Sequence, residues 1–176
     1  MALWRKDGFA ADVWTTLGDA DAVPESGAVI VSAARWAKES EALAARADPV
    51  GLVIVAGKDA ASLLVEAAKR PLVALSFAKF ADGRAFSYAQ LLRERYRFTG
   101  ELRAVGEVLL DELPLMLRCG FDTFEIADAP TLRALERGHL PDAKLFYQPS
   151  VEPHEKPGGK RPWLRKKASP SDRPWS

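Results

Sequence analysis

Two runs, Leu52-Val53-Ile54-Val55 and Leu72-Val73-Ala74-Leu75, each place four apolar residues together with no polar residue between them. A strand with one wet face alternates apolar and polar positions, so these runs predict strands shielded on both faces, as at the centre of a helix-covered parallel sheet. Candidate strands run from Val29 to Ser32, Leu52 to Ala56, Leu72 to Phe77, Leu102 to Val105, Thr123 to Ile126 and Lys144 to Tyr147, with helical spacing between them. Repeated strand-then-helix units predict an α/β domain with a mostly parallel sheet of about six strands and flanking helices, either an open sheet or half-barrel-like.

Local signals set the boundaries. Asp59 is positioned to cap a helix carrying Leu63, Leu64, Val65 and Ala68, which closes at Arg70-Pro71 because the residue before proline resists the helical region. Ser87-Tyr88-Ala89-Gln90 has the form of a capping box and predicts a helix start before Leu91 and Leu92. Pro114 suits a first turn, so the next helix is expected from about Leu113 to Gly120. Asp128-Ala129-Pro130 opens the last one and Gly138 ends it. Residues 1–27 are less regular and read as a hairpin or an edge without a fixed place.

The charge distribution divides the chain. From Pro149 to Ser176 there are seven Lys or Arg against three acids, together with six of the twelve prolines, whereas residues 1–148 hold 18 basic and 21 acidic residues. The tail has too few aliphatic residues to offset the entropy of ordering, so residues 1–148 are expected to form one domain and 149–176 a disordered basic tail. No apolar stretch is long enough to span a bilayer, and Arg5, Lys6 and Asp7 stand where a signal peptide needs an apolar run, which predicts a cytoplasmic protein without a membrane partner. The tail segment Lys160-Arg161-Pro162-Trp163-Leu164-Arg165-Lys166-Lys167 suits an acidic protein surface better than nucleic acid, because the body is acidic and carries no nucleic-acid module.

Cysteine and histidine counts limit the chemistry. Cys119 is the only cysteine and His139 and His154 the only histidines, so neither an iron–sulfur cluster nor a structural zinc site has its ligand set. There is no Gly-x-Gly-x-x-Gly and no Gly-x-x-x-x-Gly-Lys-Ser/Thr loop, so no cofactor is encoded by a recognisable motif.

Ligands of parallel α/β sheets gather beyond the carboxyl ends of the strands. The segment from Ala78 to Ser87 occupies that position after a central strand. Lys79, Asp82, Gly83, Arg84 and Ser87 would offer two cations, one carboxylate, a glycine able to turn left-handed and free amides at a helix start, a set suited to an oxyanion or to a partner's carboxylates. A plain surface turn closed by an Asp82 ion pair uses the same residues. Arg103 and Glu125 interrupt adjacent apolar strands and are expected to pair, since an unpaired buried charge is expensive, with anion binding by Arg103 as the alternative. Asp111 is read as a helix cap or a general base. Cys119, between a helix and the next strand, is read as packing, with a nucleophilic role as the alternative.

Phe80-Ala81-Asp82-Gly83-Arg84-Ala85-Phe86-Ser87, Leu91-Leu92-Arg93, Gly100-Glu101-Leu102-Arg103-Ala104-Val105-Gly106 and Arg118-Cys119-Gly120-Phe121-Asp122 occur together and in order. In these motifs the chain resembles the bacterial domain-of-unknown-function-934 family, labelled a probable oxidoreductase involved in sulfite reduction, over roughly Leu52 to Ile126. The resemblance implies a role in sulfur assimilation with sulfite reductase, or another protein of that route, as partner. An accessory protein binding an anion or a reductase surface through the basic loop is the leading expectation. A small oxidoreductase using flavin or Cys119, and a purely structural subunit, are the alternatives.

Overall fold

The computed structural model describes residues 1–55, 57, 60–77, 83–141, 155–158 and 161–167. Asp59, Lys79, Asp82 and the strand expected at Lys144 to Tyr147 lie outside them. Eight strands form one sheet: β1 (Ala2–Arg5), β2 (Gly8–Ala10), β3 (Trp14–Thr16), β4 (Ala28–Ser32), β5 (Val50–Val55), β6 (Leu72–Phe77), β7 (Glu101–Gly106) and β8 (Thr123–Ile126). Their spatial order is β2-β1-β8-β7-β6-β5-β4-β3. From β3 to β8 each strand lies parallel beside its successor, while β1 joins β8 antiparallel and β2 closes a hairpin on β1. The N-terminal residues therefore supply strands to both edges of the sheet.

That placement dictates the curvature. Only residues 11–13 connect β2 to β3, although these strands stand at opposite edges. Four Cα steps reach about 15 Å at most. Eight flat strands at about 4.8 Å spacing would hold the two edges about 34 Å apart. The sheet must curl, and it forms a half-barrel whose edges are drawn together by this short crossing.

Five helices follow the strands: α1 (Ala33–Ala44), α2 (Ala60–Ala67), α3 (Arg84–Gln90), which continues as a π-helical turn over Leu91–Arg95, α4 (Leu113–Arg118) and α5 (Ala129–Glu136). Ser32 caps α1 by accepting from Arg35 N–H at 2.9 Å, and Asp128 caps α5 by accepting from Thr131 N–H at 2.8 Å. The helix expected from Ser87 starts earlier, at Arg84, with Gly83 as its N-cap and no side-chain cap. Ala85, Ala89 and Leu92 make a buried stripe at helical spacing, so packing extends the helix upstream and Ser87 lies within it, exposed. The segment Ser87 to Gln90 has the pattern of a capping box without serving as one.

Helices were expected on both faces of the sheet, and the structure places them on one. Val29, Val31, Leu52, Ile54, Val73, Leu75, Leu102, Ala104 and Phe124 form the main core with Trp36, Leu64, Ala89, Leu92, Met116 and Leu135 from the five helices. Burying each aliphatic or aromatic side chain of this kind contributes about 1.5–3 kcal/mol. The opposite, concave face has its own small cluster of Ile30, Leu72 and Ala74, against which Trp14, Val53 and Val105 pack without any helix. Curling, rather than a second helix layer, shields the inner positions, and this explains the missing polar alternation. Among the described residues no helix is long and apolar enough to cross a membrane. In the tail, Glu155–Gly158 (β9) and Arg161–Lys167 (β10) pair antiparallel as a separate ribbon, a local pairing that needs no apolar core.

Candidate functional site

The concave face carries the charged residues that interrupt the strands. Arg103 is fully buried, yet its partner is not Glu125. Its guanidinium grips Asp12, in the crossing between β2 and β3, with Nη1 and Nη2 donating at 2.7 and 3.0 Å. Nε and Nη2 also donate to Oε1 of Glu101 on the same strand at 3.0 and 2.9 Å. Glu101 further accepts from the Thr123 hydroxyl at 2.7 Å and lies 3.7 Å from Arg5. A planar fork between two carboxylates uses the geometry that makes arginine the favoured buried cation. Burial works against the charge of Arg103, but hydrogen bonds to Asp12 and Glu101 and their negative charges outweigh it, so its pKa rises. Burial likewise pulls Asp12 upward, and its bonds from Arg103 and from Trp14 N–H bring the net direction below the ordinary carboxylate range.

Above this network is a pocket of about 610 Å³ whose lining includes Asp12, Trp14, Thr16, Ile30, Val53, Ala74, Val105, Gly106 and Glu125. Ala74, within the lining, is 1% exposed, and Val105 and Gly106 bring the lining to the carboxyl end of β7, on the side where such folds place their ligands. Glu125 is in register with Leu3 on β1. Its carboxylate is half-buried and makes no hydrogen bond or ion pair among the described residues. Burial raises its pKa, the charge of Arg103 lowers it and that of Asp12 raises it, for a net upward shift.

Gly83, Arg84 and Ser87 stand apart from this pocket. Gly83 takes φ −70° and ψ 0°, so it does not make the left-handed turn foreseen for it. Gly83, Arg84 and Ser87 are exposed at the start of α3, which packs on the outer face through Ala85 and through Phe86 set edge-on to Phe77 at 5.2 Å. They do not line the concave pocket or join the Arg103 network. Arg84 is engaged in an interaction of its own.

Asp111 is exposed and is not the cap of α4. Glu112 occupies the N-cap position without a side-chain cap bond, and Pro114 removes one of the first-turn amides that a cap would serve. Glu112 is partly buried, with one carboxylate oxygen unpartnered. Burial raises its pKa, and neighbouring Asp111 and Glu107 add to the rise.

Cys119 ends α4 at 3% exposure, within the core. Burial pushes its thiol up to about 11, against a lowering by Arg118. At neutral pH it is a closed thiol rather than a thiolate nucleophile. We expect a disulfide reagent to modify the native chain at least about a hundredfold more slowly than the urea-unfolded chain, because reaction needs both exposure and ionisation. Equal rates in the two states would show the thiol to be accessible.

Three of the motifs that carry the family resemblance meet at Arg93. Its Nε donates to Gly120 O at 2.9 Å, Nη1 donates to Phe98 O and Gly100 O at 2.7 and 3.0 Å, and Nη2 pairs with Asp122. Asp122 also accepts from Leu102 N–H at 2.8 Å. One side chain thus knits the π-helical turn, the entry to β7 and the turn before β8. Sequence reasoning missed Asp12, Glu101 and Arg93 as network residues. Only the Glu101-Leu102-Arg103 spacing, which puts two charges on one strand face, hinted at the first network.

Neither the search of curated proteins nor that of solved structures found a match. A family model described as "Bacterial protein of unknown function (DUF934)" matches residues 51–157, beyond the expected limit at Ile126 and into the tail. The matched span takes in most of β5 through β8 and the Arg93 junction, and the chain belongs to the DUF934 family.

Proposed function

We propose that this chain is an accessory protein of bacterial sulfite reduction that engages a ligand or a sulfite reductase surface at the carboxyl-end rim of its half-barrel. The observation that carries the accessory reading is the state of Cys119, buried and held as a thiol, which leaves the chain without a redox centre of its own among the described residues. The pathway rests on the resemblance of the Phe80 to Ser87 and Gly100 to Gly106 motifs to the sulfite-reduction family. The rim is favoured because Gly83, Arg84 and Ser87 follow β6 at the start of α3, and Val105 and Gly106 of the pocket end β7, on the side where parallel half-barrels bind. In this reading Lys79 and Asp82 belong to the same rim by sequence, and the basic tail assists docking to an acidic reductase surface. Arg103 holds the fold instead of meeting an anion.

Deleting the gene tests the pathway. The mutant is expected to grow with cysteine and to fail or lag when sulfate or sulfite is the sole sulfur source. Equal growth on all three would sink the assignment. Normal growth of a Cys119→Ser strain on sulfite would separate the accessory role from a thiol-dependent oxidoreductase.

A further inference from the structure

The concave pocket has a charge pattern that the pathway reading does not use. Its walls are apolar, built from Trp14, Ile30, Val53, Ala74 and Val105, and its volume of about 610 Å³ suits a small organic molecule. On the inner face Arg5 and Arg103 stand against Asp12, Glu101 and Glu125. Arg103 is consumed by Asp12 and Glu101, and Arg5 lies beside Glu101. Glu125 is left as a carboxylate without a hydrogen bond or direct ion pair among the described residues, on the wall of an apolar pocket. The amino terminus of Met1, which also lines the pocket, and Arg103 act on Glu125 only at a distance, so an organic cation would supply the direct ion pair that Glu125 does not make among the described residues.

We propose that the pocket binds a small organic cation, an ammonium or guanidinium head on an apolar body, with Glu125 as its counter-ion. The apolar body would lie against Val53, Ala74 and Val105, and the head would meet Glu125 beside Asp12. Three charged groups act on Glu125: Arg103 on β7, Asp12 in the crossing and the chain's amino terminus before β1. Burial disfavours the ionised form of Glu125, so affinity should rise with pH as its carboxyl loses its proton. The proposal is independent of the sulfur pathway, and growth phenotypes do not bear on it.

Titration of the full chain with hexylammonium, hexanol and hexanoate, followed by amide NMR, tests it. Hexylammonium is expected to shift the amides of Val53, Val105 and Glu125 and to bind at least about tenfold tighter than hexanol, with hexanoate weakest; tenfold corresponds to about 1.4 kcal/mol, the scale of one charge-assisted contact. In Glu125→Gln, nearly isosteric and part-exposed, the ammonium's advantage over hexanol should fall by about tenfold while hexanol binding stays the same. Hexanoate binding as tightly as hexylammonium, shifts confined to other surfaces, no binding of any probe at millimolar concentration, or an unchanged preference in Glu125→Gln would each overturn the proposal.

Discussion

Replacing Arg103 with methionine is expected to lower the unfolding free energy by about 3 kcal/mol, as read from urea denaturation at neutral pH. Methionine keeps much of the volume, so the loss is electrostatic rather than a cavity. Asp12 and Glu101 would be left facing each other without their shared cation, and removing one partner of a buried pair typically costs about 3–5 kcal/mol. The lower end applies because Asp12 and Glu101 keep 36% and 19% exposure while the arginine has 1%. The pH dependence should change sign. In the native chain the carboxyl of Asp12 is held below its ordinary range, so its contribution is present above that range and is lost as pH falls through the depressed pKa. In the variant burial still raises the Asp12 carboxyl while the hydrogen bonds and charge of Arg103 are gone, so stability should rise on acidification toward about pH 4. A variant that kept the native slope would show that Arg103 does not hold the crossing, and Arg103→Met with Glu101→Gln should recover part of the loss.

The parallel strands were legible because burial leaves a direct mark on composition. β6 and β8 match the sequence reading at both ends, and β4, β5 and β7 differ by one or two residues. The marks of β1, β2 and β3 were too weak to read, since strands of three or four residues at sheet edges show little alternation and take their pairing from distant partners. Without them the curvature was undetermined. The connection that forces the sheet to curl, residues 11–13, gains meaning only once β2 and β3 are known to lie at opposite edges.

The site was legible as a set of unusual residues and not as a set of partnerships. Arg103 and Glu125 were conspicuous because charge interrupts an apolar strand, and the cost of a buried charge required a partner. Which carboxylate served was beyond reach, because Asp12 lies 91 residues from Arg103 in an irregular segment. The motif around Arg93 had the converse character. Its residues occurred together in the sequence for an architectural reason, the satisfaction of main-chain carbonyls at Phe98, Gly100 and Gly120 by one guanidinium.

Gly106→Ala is expected to destabilise the chain by about 3 kcal/mol and to weaken hexylammonium binding. Gly106 ends β7 at φ +93°, where a Cβ would stand 2.6 Å from the carbonyl oxygen of Phe77. That oxygen cannot easily yield, since Glu107 N–H donates to it at 2.9 Å and Phe77 is in register with Gly106 across β6 and β7. The two strands would have to separate at their carboxyl ends, on the wall of the pocket that Gly106 itself lines. Gly83→Ala supplies the contrast. Gly83 has an ordinary φ of −70° and open space where a Cβ would go, so alanine there should be neutral or stabilise by up to about 1 kcal/mol through the unfolded chain. Both variants are read by urea unfolding. Equal midpoints would refute the assigned strain, whereas the expected difference would show that the strand-end glycine the fold requires is Gly106, beside the concave pocket, and not the one in the basic loop.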